Sequence, residues 1–204
     1  MRRYSEMEGE QVVRTARAAI ELFLRSPNVE RRIIVESLKG YGSPNGVFVT
    51  ISHYPTMSMR GRAGIYGMGK RMGELVVDAA TGAAFMDPRA VPVSLAEAGH
   101  MTVEVDILSD FEEIRSSGRG KMIKVRLGRD GLCVRYGVKS AVLLPSFPKE
   151  NNLGKAGFFE EACRQIGIQK DLWMQPSVRI FRFETQRFTE EEPDGRVKEI
   201  KVGK

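Results

Sequence analysis

Between Glu10 and Ser26 the residues Val12, Ala16, Ala19, Ile20, Phe23 and Leu24 recur at spacings of three and four. That period places them on one side of a helix, and Pro27 marks its end, because proline disfavours helical geometry in the residue before it. Turn chemistry follows in GYGSPNG, and the β-branched and aromatic run VFVTISHY predicts a buried strand. A glycine-rich stretch, Ser58 to Glu74, leads into a second helical pattern over Lys70 to Phe85. Its stripe of Met72, Leu75, Val76, Ala79, Ala80 and Ala83 is mostly small, which predicts close packing with the alanines inward. Asp87-Pro88 ends it.

In the second half MTVEVDIL predicts a strand. Ile123, Val125 and Leu127 alternate with Lys124 and Arg126, and Leu132, Val134 and Tyr136 alternate with Cys133 and Arg135. With Asp130-Gly131 between the two runs, the pattern predicts a hairpin. VKSAVLLPS adds a strand. GFFEEACRQIG places Phe158, Phe159, Ala162, Cys163 and Ile166 on a helix stopped by Gly167. SVRIFRFETQRF reads as one long strand, and EEPDGRVKEIKV as an acidic turn with a basic end. There is no internal repeat. Helices alternate with hairpins, so the expected class is α+β with a mostly antiparallel sheet and flanking helices.

Composition narrows the function classes. Lys and Arg number 32 against 26 Asp and Glu, a net charge of +6. This permits an anionic partner, a small molecule or RNA, without requiring one. No window approaches 18 uncharged apolar residues, so no membrane span is expected. The N-terminus has charges but no apolar run after them, and no signal peptide is expected. Cys133 and Cys163 form no CxxC pair, which fits a reducing cytoplasm. Both are expected to be buried and unpaired. His53 and His100 show no ligand spacing with other residues, so no metal or cofactor is expected. The acids at Asp106, Asp110, Glu112 and Glu113, and at Glu190 to Glu192, read as solvated loops.

The candidate chemistry lies in SMRGRAGIYGMGKRMGE. Gly64 to Lys70 fits the first seven positions of a phosphate-binding loop, but the eighth is Arg71, which cannot hold the metal as a hydroxyl does. Nucleotide hydrolysis is therefore not expected. Two readings remain. Either Gly61 and Gly64 permit a turn that, with Arg60 and Arg62, forms the floor of an anion site, or the stretch is a compact turn with solvated arginines. Asp87 and Arg89 pair with each other, or Arg89 joins Arg60.

The blocks ARAAIELFL, GVFVTI, MRGRAG, AATGAAFMDPRAVPVSL, VEVDILS, GRDGLCVRYGVKSAVLLP, FFEEACRQIGI and VRIFRFETQRF resemble, in order, those of the AMMECR-one domain family. The resemblance spans roughly Glu10 to Arg196. It implies one domain over residues 1–204, built as two unequal lobes with a cleft between them. Met59 to Gly64 occupy the hallmark hexapeptide L-R-G-C-I-G. Arg60, Gly61 and Gly64 match it, whereas Arg62 stands for the cysteine and Ala63 for the isoleucine. Ser146 replaces the usual glutamine after LLP. The family has no established reaction. Its association with MEMO-type proteins and radical S-adenosylmethionine enzymes implies an accessory part beside such partners. The expectation is a non-catalytic module binding an anion through Arg60, Gly61, Arg62, Gly64, Asp87 and Arg89. The alternative is a stand-alone enzyme using acid–base chemistry in the same cleft.

Overall fold

The computed structural model describes residues 2–26 and 31–201. In chain order its elements are α1 (Glu6–Arg25), α2 (Arg31–Glu36), β1 (Gly46–His53), β2 (Ser58–Tyr66), α3 (Met72–Phe85), β3 (Met101–Leu108) and β4 (Glu112–Glu113). There follow α4 (Gly120–Ile123), β5 (Gly131–Tyr136), β6 (Lys139–Leu143), α5 (Phe147–Glu150), α6 (Lys155–Gln165), β7 (Arg179–Phe183), β8 (Thr185–Glu190) and β9 (Val197–Ile200). Two antiparallel sheets result, ordered β2-β1-β3-β8-β9 and β4-β7-β5-β6. The class is α+β. Pro27, the expected helix end, lies outside the described residues.

The chain separates into two compact units, one of residues 1–108 with 186–200 and one of residues 109–185 with 201–204. In the first, α1 starts from a capping box in which Ser5 and Glu8 satisfy each other's backbone. Val47, Val49 and Ile51 of β1 lie level with Ile107, Val105 and Val103 of β3 and form one apolar face. α1 and α3 cover that face, and Ala79, Ala80 and Ala83 of α3 are fully buried, as their small size requires for close approach. In the second unit α6 packs Phe158, Phe159, Ala162 and Cys163 into a core with Leu132, Val134 and Trp173. Cys133 and Cys163 are both free and buried, and burial pushes both thiols up.

Three sequence expectations change. The hairpin around Asp130-Gly131 does not form: residues 120–123 are a helical turn, and β5 instead pairs with β6 through Gly137-Val138. The apolar alternation misled because only Val125 of the three is buried, while Ile123 is exposed and Lys121 is buried instead. The Lys121 ammonium donates to the carbonyls of Trp173, Gln175 and Val178 at 2.6, 3.2 and 3.1 Å, which makes its burial tolerable. The long strand from Val178 breaks at Glu184, so β7 and β8 belong to different sheets. There the Glu184 N–H donates to Ser109 Oγ at 2.8 Å and the Ser109 N–H to Glu184 O at 2.9 Å. Finally, the acidic runs are not all solvated. Asp106 and Glu190 are buried and pair with Arg187 and Arg17.

Candidate functional site

The stretch that the sequence presented as a turn is an edge strand. Arg60, Gly61, Arg62 and Gly64 all lie on β2, which pairs only with β1 in its sheet. Register shifts between Ile51 and Ser52, so that Arg60 is the extra residue of a bulge. Such a bulge re-aims a side chain. The two matched glycines serve packing rather than turning. A Cβ on Gly61 would overlap the carbonyl oxygen of Ala83 in α3, and one on Gly64 would overlap the Phe48 ring. That ring lies nearly parallel to Tyr66, 6.3 Å between centroids. Within this stretch the glycines with positive φ are Gly67 and Gly69, past the end of β2.

The phosphate-loop resemblance also dissolves. The Gly67 N–H donates to Asn45 O at 2.8 Å and the Met72 N–H to Gly42 O at 2.9 Å. Lys70, the residue that would reach a phosphate, donates to Asp78 at 2.7 Å, which also holds Arg31.

Residues 86–97 run back along β2 and are pinned to it by two carboxylates. Asp87 accepts from the Arg62 N–H at 2.9 Å, the Arg89 N–H at 3.0 Å, and Arg89 Nε and Nη2 at 2.9 and 2.7 Å. The Arg89 fork, joined by the two backbone donors, holds the Asp87 carboxyl well below the ordinary carboxylate range. Glu97 accepts from Arg60 Nε at 2.8 Å and from the Ser94 N–H and Oγ at 2.8 and 2.9 Å. The Arg60 guanidinium, then the Ser94 backbone, lowers its pKa to about 2. Arg60 is therefore committed to Glu97, with its side chain only 9% exposed. Arg89 differs. Its side chain is 60% exposed, and its Nη1 has no partner among the described residues.

Asp87, Arg89 and Arg62 are thus brought together, while Arg60 points to a different carboxylate. Arg62 Nε donates to Thr50 Oγ1 across the strands at 2.9 Å. Thr50 lies level with Glu104, and Arg187 makes a fork onto Asp106 at 2.9 and 3.0 Å with Glu104 at 3.4 Å. This polar row sits on the face opposite the apolar one. Sequence reading missed Glu97 and this row. Ser94-x-x-Glu97 is capping-box spacing, a signal that was present. No spacing in the sequence links residues 62, 104 and 187. Among the described residues no group of three or more His, Cys, Asp or Glu could hold a metal ion.

A sequence model of the AMMECR1 family matches residues 13–188. Protein MJ0810 of Methanocaldococcus jannaschii is 36% identical over 204 residues, covering 99% of this chain and 100% of that one. Protein MK0488 of Methanopyrus kandleri is 36% identical, covering 94% and 93%. The crystal structure of uncharacterized protein PH0010 from Pyrococcus horikoshii is similar with a TM-score of 0.86 at 32% identity, covering 97% of this chain and 98% of that one.

Proposed function

The chain belongs to the AMMECR1 family, and on that premise we propose that it is a non-catalytic binding module that holds an anionic ligand, or the substrate of a partner enzyme, at the β2 edge. The observation that carries this reading is Arg89. Asp87 grips one edge of its guanidinium and leaves the other without a partner in a half-exposed side chain. A cation oriented before binding loses little freedom when an anion arrives. Arg62 adds charge beside it, and Met86 and Val91, both exposed, offer apolar contact on either side of Asp87 and Arg89. Arg60 takes the role of a structural clamp.

The enzyme alternative has less support. Asp87 and Glu97 are both held ionised, so neither is poised to give or take a proton near neutral pH. The accessory role beside a MEMO-type or radical S-adenosylmethionine enzyme remains the partner reading that follows from the family resemblance. Among the described residues no helix is long and apolar enough to cross a membrane.

The test is calorimetry of the wild type, Arg89→Ala and Arg60→Ala against inorganic phosphate and nucleoside mono- and triphosphates, with native mass spectrometry for a retained small molecule. A charge-assisted hydrogen bond contributes about 1.5–3 kcal/mol, so Arg89→Ala should weaken the anion roughly ten- to a hundredfold. Arg60→Ala should lower the unfolding midpoint instead. Wild-type protein that binds none of the panel and retains nothing, or an Arg89→Ala variant that binds as tightly as wild type, overturns the reading.

A further inference from the structure

The positive charge of the chain is not spread evenly. Residues 109–185, the body of the second unit, contain 14 Lys and Arg against 9 Asp and Glu, a difference of +5 out of the +6 of the whole chain. Within it, residues 115–129 hold six cations, Arg115, Arg119, Lys121, Lys124, Arg126 and Arg129, and no acid.

The segment is folded back on itself by consecutive short turns. The N–H groups of Lys121, Met122, Lys124 and Val125 reach the carbonyls of Gly118, Arg119, Lys121 and Met122, and Arg129 and Asp130 both reach Arg126 O. Lys121 turns inward and fixes the middle of the segment on three carbonyls. The other five cations are exposed. Arg129 is neutralised by Glu184 at 2.6 Å. Arg119, Lys124 and Arg126 pair with no carboxylate among the described residues. Lys155 adds a further cation, its Nζ donating to Met122 O at 3.3 Å.

We infer that residues 115–129, with Lys155, form a docking surface for the phosphate backbone of a nucleic acid, separate from the β2 edge. Charge complementarity selects the partner. Unneutralised cations held in one place on a folded segment match a chain of phosphates. Of the four exposed arginines, Arg129 is tied to Glu184 and Arg115 lies beside Glu113; Arg119 and Arg126 keep planar forks that suit phosphate oxygens. Gly118 and Gly128 leave open space where a Cβ would stand, so a phosphate can approach the backbone closely there. An anionic membrane fits less well. Surface-lying helices need a broad apolar face, and α4 has four residues with Ile123 as its exposed apolar side chain.

The experiment uses the full chain and a labelled single-stranded RNA of about twenty nucleotides, followed by fluorescence anisotropy from low to moderate salt. For single strands log K falls with log salt at a slope of about −0.7 per phosphate neutralised, so four to five contacts should give a slope near −3. The variant Arg119→Gln/Lys124→Gln/Arg126→Gln removes three exposed charges without touching Lys121. It should bind at least about tenfold more weakly and reduce the slope by about 2. A control, Arg25→Gln/Arg32→Gln/Lys39→Gln, changes the net charge equally on the first unit and should bind as the wild type does. Absence of wild-type binding at low salt, an unchanged slope in the first variant, or an equal loss in the control overturns the inference. So does a wild type that prefers phosphatidylserine vesicles or poly-glutamate to RNA.

Discussion

Gly61 illustrates how single residues carry the β2 edge. It has ordinary strand geometry, so its lack of a side chain serves the neighbour and not the backbone. The Ala83 carbonyl of α3 occupies the place of a Cβ, and main chain cannot move aside as a flexible side chain does. Gly61→Ala should therefore destabilise the protein by about 1–3 kcal/mol in urea unfolding, the usual cost of overpacking. Gly64→Ala meets the Phe48 ring instead, which is half-buried and can tilt; its cost should be the smaller of the two. The opposite ordering would mean that the α3 contact is soft. Arg62 admits a converse test. Arg62→Cys restores the residue implied by the family hexapeptide and loses the donation to Thr50. The variant should fold, with a loss of about 1–3 kcal/mol.

At the level of elements, what was legible followed from local pattern. The α1 stripe, the alanine face of α3 and the β1 and β3 runs each repeat at their own period, and each forms. Where tertiary partners decide, pattern failed. Lys121 is buried because three distant carbonyls receive it, and β2 is a strand because β1 pairs with it despite two glycines in SMRGRAGIY. The motif groups Arg60 with Arg62, and only the fold reveals that Arg60 clamps Glu97. That clamp predicts an acid sensitivity of the segment 86–97. The folded pKa of Glu97 is about 2, below its ordinary value. Its stabilisation is therefore full above the unfolded pKa and is lost as pH falls from about 5 toward 2. Protection of the Ser94 amide, its exchange measured against the intrinsic rate at each pH, should fall over that window in the wild type. Glu97→Gln should exchange fast at neutral pH and show a flatter response; equal pH profiles for the two proteins would remove the clamp from the account.

For the molecule as a whole, the first unit is discontinuous: its sheet takes β8 and β9 from residues 185–200. The N-terminal and C-terminal segments meet at Arg17 and Glu190, 173 positions apart, both buried. Arg17 Nε and Nη2 fork onto Glu190 at 2.6 and 2.5 Å, Arg17 Nη2 also donates to Met101 O at 2.6 Å, and Glu190 accepts the Val103 N–H at 2.9 Å. A buried pair costs desolvation of both ions, and elsewhere apolar replacements of such pairs are often neutral or stabilising. Here the extra backbone partners decide otherwise. Replacing both residues, as in Arg17→Met/Glu190→Leu, orphans a buried N–H and a buried carbonyl in β3, at about 1–3 kcal/mol each. Glu190→Leu alone strips the buried Arg17 guanidinium of its fork and leaves Glu21, at 3.3 Å, as its carboxylate contact; removing one partner of a buried pair should cost about 3–5 kcal/mol, a large share of the roughly 5–15 kcal/mol that holds a domain together. The double variant should recover only part of that loss. Urea unfolding of the wild type, the single variant and the double variant checks the ordering. A double variant as stable as the wild type would show that sheet pairing and apolar burial alone join the two chain ends.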